Sequence, residues 1–252
     1  MVEWEEAALI VSVQPYGEGS ALVHLFSEQH GISHGMVRGG RSRRQSFLWQ
    51  VGNLVMARYR ARLAENLGSI IAEPIQSVGN RLLDFPLSLA IVTSACALVD
   101  GALPQGEAHP ELFMRLVRLL MLISLEPHMP SVTPYLLWEK ELLAELGYGL
   151  DLSVCAVTGH RENLKFVSPK TGRAVSEEGA GEWRDRLLPL PSFFLNTAED
   201  GSPEEWLQGM NLTGHFFSRW VFGVRHLPLP FARERLLNRV HGLVENGPDV
   251  SV

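Results

Sequence analysis

Apolar and polar residues follow a short period over the first 80 positions and a longer one afterwards. "AALIVSVQ" and "SALVHLFSEQHG" are brief runs of branched and apolar residues, separated by the turn-forming cluster "PYGEG". "ISHGMV", "VGNLVMARYRAR" and "LGSIIAEP" follow, making roughly five strands with no helical repeat between them. Short antiparallel strands packed into so small a segment suit a closed barrel of the OB type, which hides its sheet edges by curling on itself.

From about Pro86 the repeat becomes helical. Leu87, Ile91, Ala95 and Leu98 form one stripe, and Leu112, Leu116, Leu119, Leu120 and Ile123 form a second, opened by Pro110 and closed before Pro127. A third helix is predicted with Thr133 as N-cap, Pro134 in its first turn, Tyr135, Trp138, Leu142 and Leu146 on its apolar face, and Gly147 at its end. "GHFFSRWVFGV" and "ARERLLNRV" supply further helices. Between them, residues 150 to 196 are rich in Gly, Ser and Thr and contain two brief strand-like pieces. The expected fold is therefore α+β in two domains. An OB-fold β-barrel spans 1–78, and a helical bundle spans 79–245 with a hairpin insertion at about 150–196. A disordered tail is expected at 246–252.

Composition adds little beyond this. With 46% apolar and 20% charged residues the chain reads as ordinary globular protein. No apolar run approaches the ~20 residues that cross a bilayer, so no membrane association is expected. "MVEWEE" places acids where a signal peptide carries positive charge. The two cysteines, Cys96 and Cys155, exclude a disulfide framework, and the expected location is the cytoplasm, associated with the nucleoid.

Charge distribution changes the picture more. The net charge is −6, yet no Asp or Glu occurs between Glu28 and Glu65. That segment holds Arg38, Arg41, Arg43, Arg44, Arg58, Arg60 and Arg62, a local +7 against −13 for the remainder. A basic field on an acidic body points to a polyanion site. Strand alternation puts Arg58, Arg60 and Arg62 on one face at intervals of about 7 Å, with Val55, Ala57 and Tyr59 on the other. Arginine suits phosphate because its planar fork stays charged and bonds two oxygens together. Trp49 is read as barrel core, with base stacking as the alternative.

Other constellations carry less. "GMVRGGRS" (35–42) approaches a phosphate loop, but Arg41 replaces lysine and strand residues, not a helix, follow. His24, His30 and His34 cluster without a carboxylate or cysteine at ligand spacing, so they read as turn and strand histidines. His160 lies near Cys155, but a zinc site needs two more ligands. No nucleophile elbow or carboxylate pair stands out. Neither enzymatic activity nor a metal or cofactor is expected. An RNA-binding OB protein would share the same arginines and is the alternative reading.

Several segments resemble one family, the bacterial DNA repair and recombination mediator RecO: "ALIVSVQPYGEGSALVHLFSEQHG", "MVRGGRSRR", "LGSIIAEP" and "WEKELLAELGYGLDLSVCAVTG". The resemblance covers nearly the whole chain. It implies an OB-fold, a helical C-terminal domain and, in some members, a zinc ribbon. It also implies binding of single- and double-stranded DNA, annealing of complementary strands, and loading of RecA onto DNA coated by single-stranded DNA-binding protein. RecR is the implied partner, with a possible link to RecF. The acidic tail of the coating protein would need an apolar pocket with a basic rim; Arg115 and Arg118 are candidates, although a solvated helix face also accounts for them. The chain departs from the zinc-bearing pattern, because Thr158 stands where a second cysteine would follow Cys155 and "SPKTGRAVSEE" supplies none. The insertion is therefore expected as a metal-free hairpin.

Overall fold

The computed structural model describes residues 2–43, 45–63, 67–128 and 130–246. The expected tail at 246–252 lies, apart from Asn246, outside the described residues. Two compact units are present, Met1–Pro130 and Ser131–Val252.

The first unit is built on five strands: β1 (Val2–Tyr16), β2 (Ser20–Ser27), β3 (Gly31–Val37), β4 (Leu54–Ala61) and β5 (Gly68–Gln76). They close into a barrel in the order β1-β2-β3-β5-β4, with every pair antiparallel except β3–β5. β1 serves two neighbours, pairing Val2–Leu9 with β4 and Ala8–Tyr16 with β2. A register shift between Ile10 and Ser12 lets the strand bend around the barrel between those partners. The parallel closure places Gly35 beside Gly68, and a β-carbon on Gly68 would lie 2.3 Å from the Tyr59 ring. Glycine is required there so that the barrel can shut over its own core.

Ala8, Ile10, Val23, Leu25, Val55, Ala57, Tyr59 and Ile70 fill the barrel interior, as the period-two pattern predicts. Trp49 joins them at 4% exposure, which settles its role as core. Trp49→Ala is expected to cost about 3–5 kcal/mol of stability by leaving a cavity, measurable by urea unfolding.

The same unit contains the first two long helices, α2 (Pro86–Ala102) and α3 (Pro110–Leu125), after the short α1 (Val78–Arg81). They cover part of the barrel's outer face: the Phe26 and Phe113 rings meet edge to face at 5.6 Å. Ile91, Val92, Ala95, Cys96, Leu98 and Val99 are all fully buried, so α2 has apolar contacts around most of its circumference. The loop between the helices is stitched to β3, with Gly106 N donating to Ile32 O at 2.9 Å. Gly31 has φ +59°, and a side chain on it would collide with the Glu107 carbonyl.

The second unit packs α4 (Thr133–Glu145), α6 (Pro203–Phe216) and α7 (Phe231–Asn246). Thr133 is the first helical residue and not the N-cap. Its hydroxyl donates to Asp200 Oδ1 at 2.6 Å and accepts from Gly201 N and Trp206 Nε1, so tertiary contacts claim the side chain that the local pattern assigned to capping. At the centre sits a buried ion pair. Arg233 Nε donates to Glu139 Oε1 at 2.8 Å, while Tyr135 and Thr213 hydroxyls complete the carboxylate's bonding. Arg233 is 1% exposed and Glu139 0%.

The insertion forms a three-stranded sheet in the order β7-β6-β8, from β6 (Leu164–Val167), β7 (Ala174–Ser176) and β8 (Leu188–Pro189), with the one-turn α5 (Glu177–Ala180) between the last two.

Candidate nucleic-acid interface

The arginine segment begins where β3 ends. Gly39 has φ +67° and starts a turn in which Ser42 N donates to Gly39 O at 2.9 Å. Arg41 N donates to Gly19 O in the β1–β2 turn, and Gly40 packs against Val37 and Ala21. At its far end the segment is pinned by Trp49 in the core and by the buried Asn53. The Asn53 amide donates to the carbonyls of Phe47 and Leu48 and accepts from Gly79 N. The loop is therefore anchored at both ends. Within it Arg38, Arg41 and Arg43 are exposed. No described carboxylate lies within ion-pair distance of them. Arg44 lies outside the described residues. Among the described residues no helix opens at this loop, so the near match to a phosphate loop lacks the dipole that such a loop uses.

β4 presents its arginines differently. Arg58 and Arg60 alternate outward as the sequence predicts, and Arg62 is exposed just past the strand. The β1–β4 register sets Glu5 opposite Arg58 and Glu3 opposite Arg60. Arg58 Nε and Nη2 donate to Glu5 Oε2 at 2.9 and 2.7 Å. Arg60 makes the equivalent bonds to Glu3 at 3.0–3.2 Å. Hydrogen bonding to Glu5, and the charge of that carboxylate, raise the Arg58 pKa above its ordinary value. The acid-free stretch in sequence thus acquires two acids from a strand some 55 residues earlier. Within this segment, Arg38, Arg41, Arg43 and Arg62 have no described carboxylate at ion-pair distance, whereas Arg58 and Arg60 do.

Register also relates the two sets. Met36 pairs with Ser69, and Ser69 with Arg60, so the three form one outward row across β3, β5 and β4. Two strand spacings, about 10 Å, separate Arg60 from the strand that leads into the loop. Between them β5 exposes Ile71 (71%), opposite Arg58. Phe47, at 68% exposure on the arginine loop, was not singled out by sequence reasoning. Both aromatics of "FLW" lie in the turn that follows the arginines, which buries Trp49 and leaves Phe47 outside.

Arg115 and Arg118 lie on the exposed side of α3 in the barrel-containing unit, and Arg115 has a partner of its own. An open cavity of about 480 Å³ in the second unit is lined by Lys165, Phe166, Arg184, Leu195 and Gln208, and by neither of those arginines.

In the insertion, Cys155 is buried, and its sulfur accepts from Val157 N and Thr158 N at 3.4 Å, Ser176 N at 3.2 Å and Ser176 Oγ at 3.3 Å. Burial alone would raise this thiol's pKa, but the Ser176 and Thr158 hydrogen bonds outweigh it and bring it down to about 6. A tetrahedral zinc needs four donor atoms, whereas the groups converging on this lone sulfur are themselves hydrogen-bond donors. The residues present do not fit the family's ribbon metal. Burial pushes Cys96 up to about 12, so thiolate absorbance is expected to titrate near pH 6 and to vanish in Cys155→Ser. Because the folded pKa lies below the unfolded one, this group's stabilisation is full above about pH 9 and is lost as pH falls through about 6.

Two family models divide the chain: residues 1–78 match "Recombination protein O N terminal" and residues 86–226 match "Recombination protein O C terminal". The chain belongs to the RecO family. It is 49% identical over 245 residues to the DNA repair protein RecO of Gluconacetobacter diazotrophicus, covering 96% of each chain. It is 51% identical to that of Granulibacter bethesdensis, over 97% of this chain and 98% of the relative. The corresponding protein of Acidiphilium cryptum is 46% identical over 251 residues. RecO membership places the chain in DNA repair and recombination. No helix among the described residues is long and apolar enough to cross a membrane.

Proposed function

We propose that this chain binds single- and double-stranded DNA through the arginine loop and the adjoining outer face of its barrel. On that surface it anneals complementary strands, and it helps load RecA onto DNA coated by single-stranded DNA-binding protein, with RecR as partner. It acts as a mediator and not as an enzyme. The observation that carries the reading is the exposure of Arg38, Arg41 and Arg43 on a loop anchored in the core, with no described carboxylate to neutralise them. Contacts of this kind hold phosphates without reading bases, which suits a mediator working at any gap. Two strands approach one another once a basic surface screens their repulsion.

The strand arginines play a second part. Arg58 and Arg60 are held by Glu5 and Glu3, so a phosphate must displace a carboxylate to reach them. Glu3→Gln with Glu5→Gln is therefore expected to tighten DNA binding and to steepen its dependence on salt. Phe47 offers a face for base stacking: Phe47→Ala should weaken single-strand binding by about 1–3 kcal/mol while leaving stability unchanged. Fluorescence anisotropy with single-stranded, duplex and matched RNA oligonucleotides checks both. The deciding experiment for the whole reading is strand annealing on coated DNA, with and without RecR. Failure to anneal under either condition overturns it.

A further inference from the structure

Nothing in the DNA-binding reading uses the polar cluster beneath α2. The two histidines His24 and His34 are cross-strand partners on β2 and β3, turned away from the barrel core that Val23 and Leu25 fill. Their rings stack at 3.7 Å with an interplanar angle of 17°. Asp100, in the last turns of α2, reaches the pair and places Oδ1 at 2.7 Å from His24 Nδ1. The carboxylate missing from the local sequence is thus delivered by a helix 76 residues away. One donor atom from each of the three side chains lies within 4.8 Å of the others. The remaining ring nitrogen of His24 is buried and has no hydrogen-bond partner among the described residues.

We propose that His24, His34 and Asp100 form a binding site for a zinc-type divalent cation, with water in the fourth position. Two imidazoles and one carboxylate are the donor set that takes such an ion in a tetrahedron. Ideal ligand spacing at Zn–N and Zn–O distances of about 2.0–2.1 Å is about 3.3 Å. The His24–Asp100 pair must open slightly and the third donor must close in by an ångström or so. Binding therefore requires the stacked rings to rotate so that each imidazole turns a lone pair toward the ion. The ion would tie two barrel strands to the helix that covers them, acting as a clasp remote from the Cys155 insertion.

The test uses the full chain, stripped with EDTA and titrated with zinc chloride by calorimetry, with bound metal counted after desalting. Wild type and Cys155→Ser should each bind one zinc per chain, and the melting temperature should rise with zinc. His34→Gln and Asp100→Asn should weaken binding at least tenfold and abolish that rise, while unfolding at the wild-type temperature in EDTA. If either variant is less stable in EDTA, the visible spectrum of wild type loaded with cobalt decides instead. A tetrahedral spectrum without a thiolate charge-transfer band supports the site. Absence of zinc binding at micromolar concentration, equal binding in His34→Gln, dependence on Cys155, or an octahedral cobalt spectrum would each overturn it.

Discussion

Replacing Arg233 by alanine is expected to destabilise the second unit by about 3–5 kcal/mol. The reason is the state it leaves behind. Glu139 is fully buried, and its charge is compensated by the guanidinium and by two hydroxyls. Without Arg233, that carboxylate must either remain charged in a medium of low dielectric or take up a proton and lose its best hydrogen bonds. Met210 O also loses the donor that Arg233 Nη2 provides at 2.7 Å. Urea unfolding followed by tryptophan fluorescence measures the loss, and Glu139→Ala should cost a similar amount. The double replacement Glu139→Leu with Arg233→Met is expected to recover much of it, because removing both charges removes the desolvation penalty along with the attraction. A loss under 1 kcal/mol for Arg233→Ala would mean that water reaches the pair. Gly214 belongs to the same arrangement: a side chain there would press on the Arg233 guanidinium at 2.9 Å.

The second large effect concerns DNA. Reversing Arg38, Arg41 and Arg43 together to glutamate should weaken binding to every DNA sequence alike, by tenfold or more at moderate salt. If about four to six phosphates are neutralised on single-stranded DNA, log K against log salt has a slope near −3 to −4, and the triple reversal should remove two to three phosphate contacts from it. Stability should hardly change, since all three side chains are exposed and the loop is fixed by Trp49, Asn53 and backbone bonds. Reversal of Arg58 and Arg60 should weaken binding less, because their charge is already largely spent on Glu5 and Glu3. Equal binding by wild type and the triple variant, measured across a salt series, would remove the loop from the interface. The contrast between the two sets is the informative part: it separates free charge from charge that is merely present.

The features legible in the sequence are those that depend on neighbours in the chain. Alternation in "VMARYRAR" told which side of β4 faces water, and the burial pattern of that strand follows it residue by residue. Three predicted helices start at or one residue before a proline, and the structure begins α2, α3 and α4 there. Glu139 was not singled out from the sequence, although it falls in the helix that carries the stripe of Tyr135, Trp138 and Leu142 and is fully buried in the structure. The partner itself was not legible, because Arg233 lies 94 residues away on another helix.

The sequence by itself determined the barrel-forming strands, the helical stripes and the basic loop, since each rests on local periodicity, turn chemistry or simple composition; the loss of the ribbon's cysteines was legible only through the family resemblance. Only the tertiary structure decided that Glu3 and Glu5 mask Arg60 and Arg58, that Trp49 faces inward while Phe47 faces water, and that Asp100 meets two histidines. Those outcomes depend on strand register and on which helix covers which face. Electrostatic and coordinating interactions act over a few ångströms of space, whatever the distance along the chain, so the pairing that sets their strength is fixed only when the chain closes on itself.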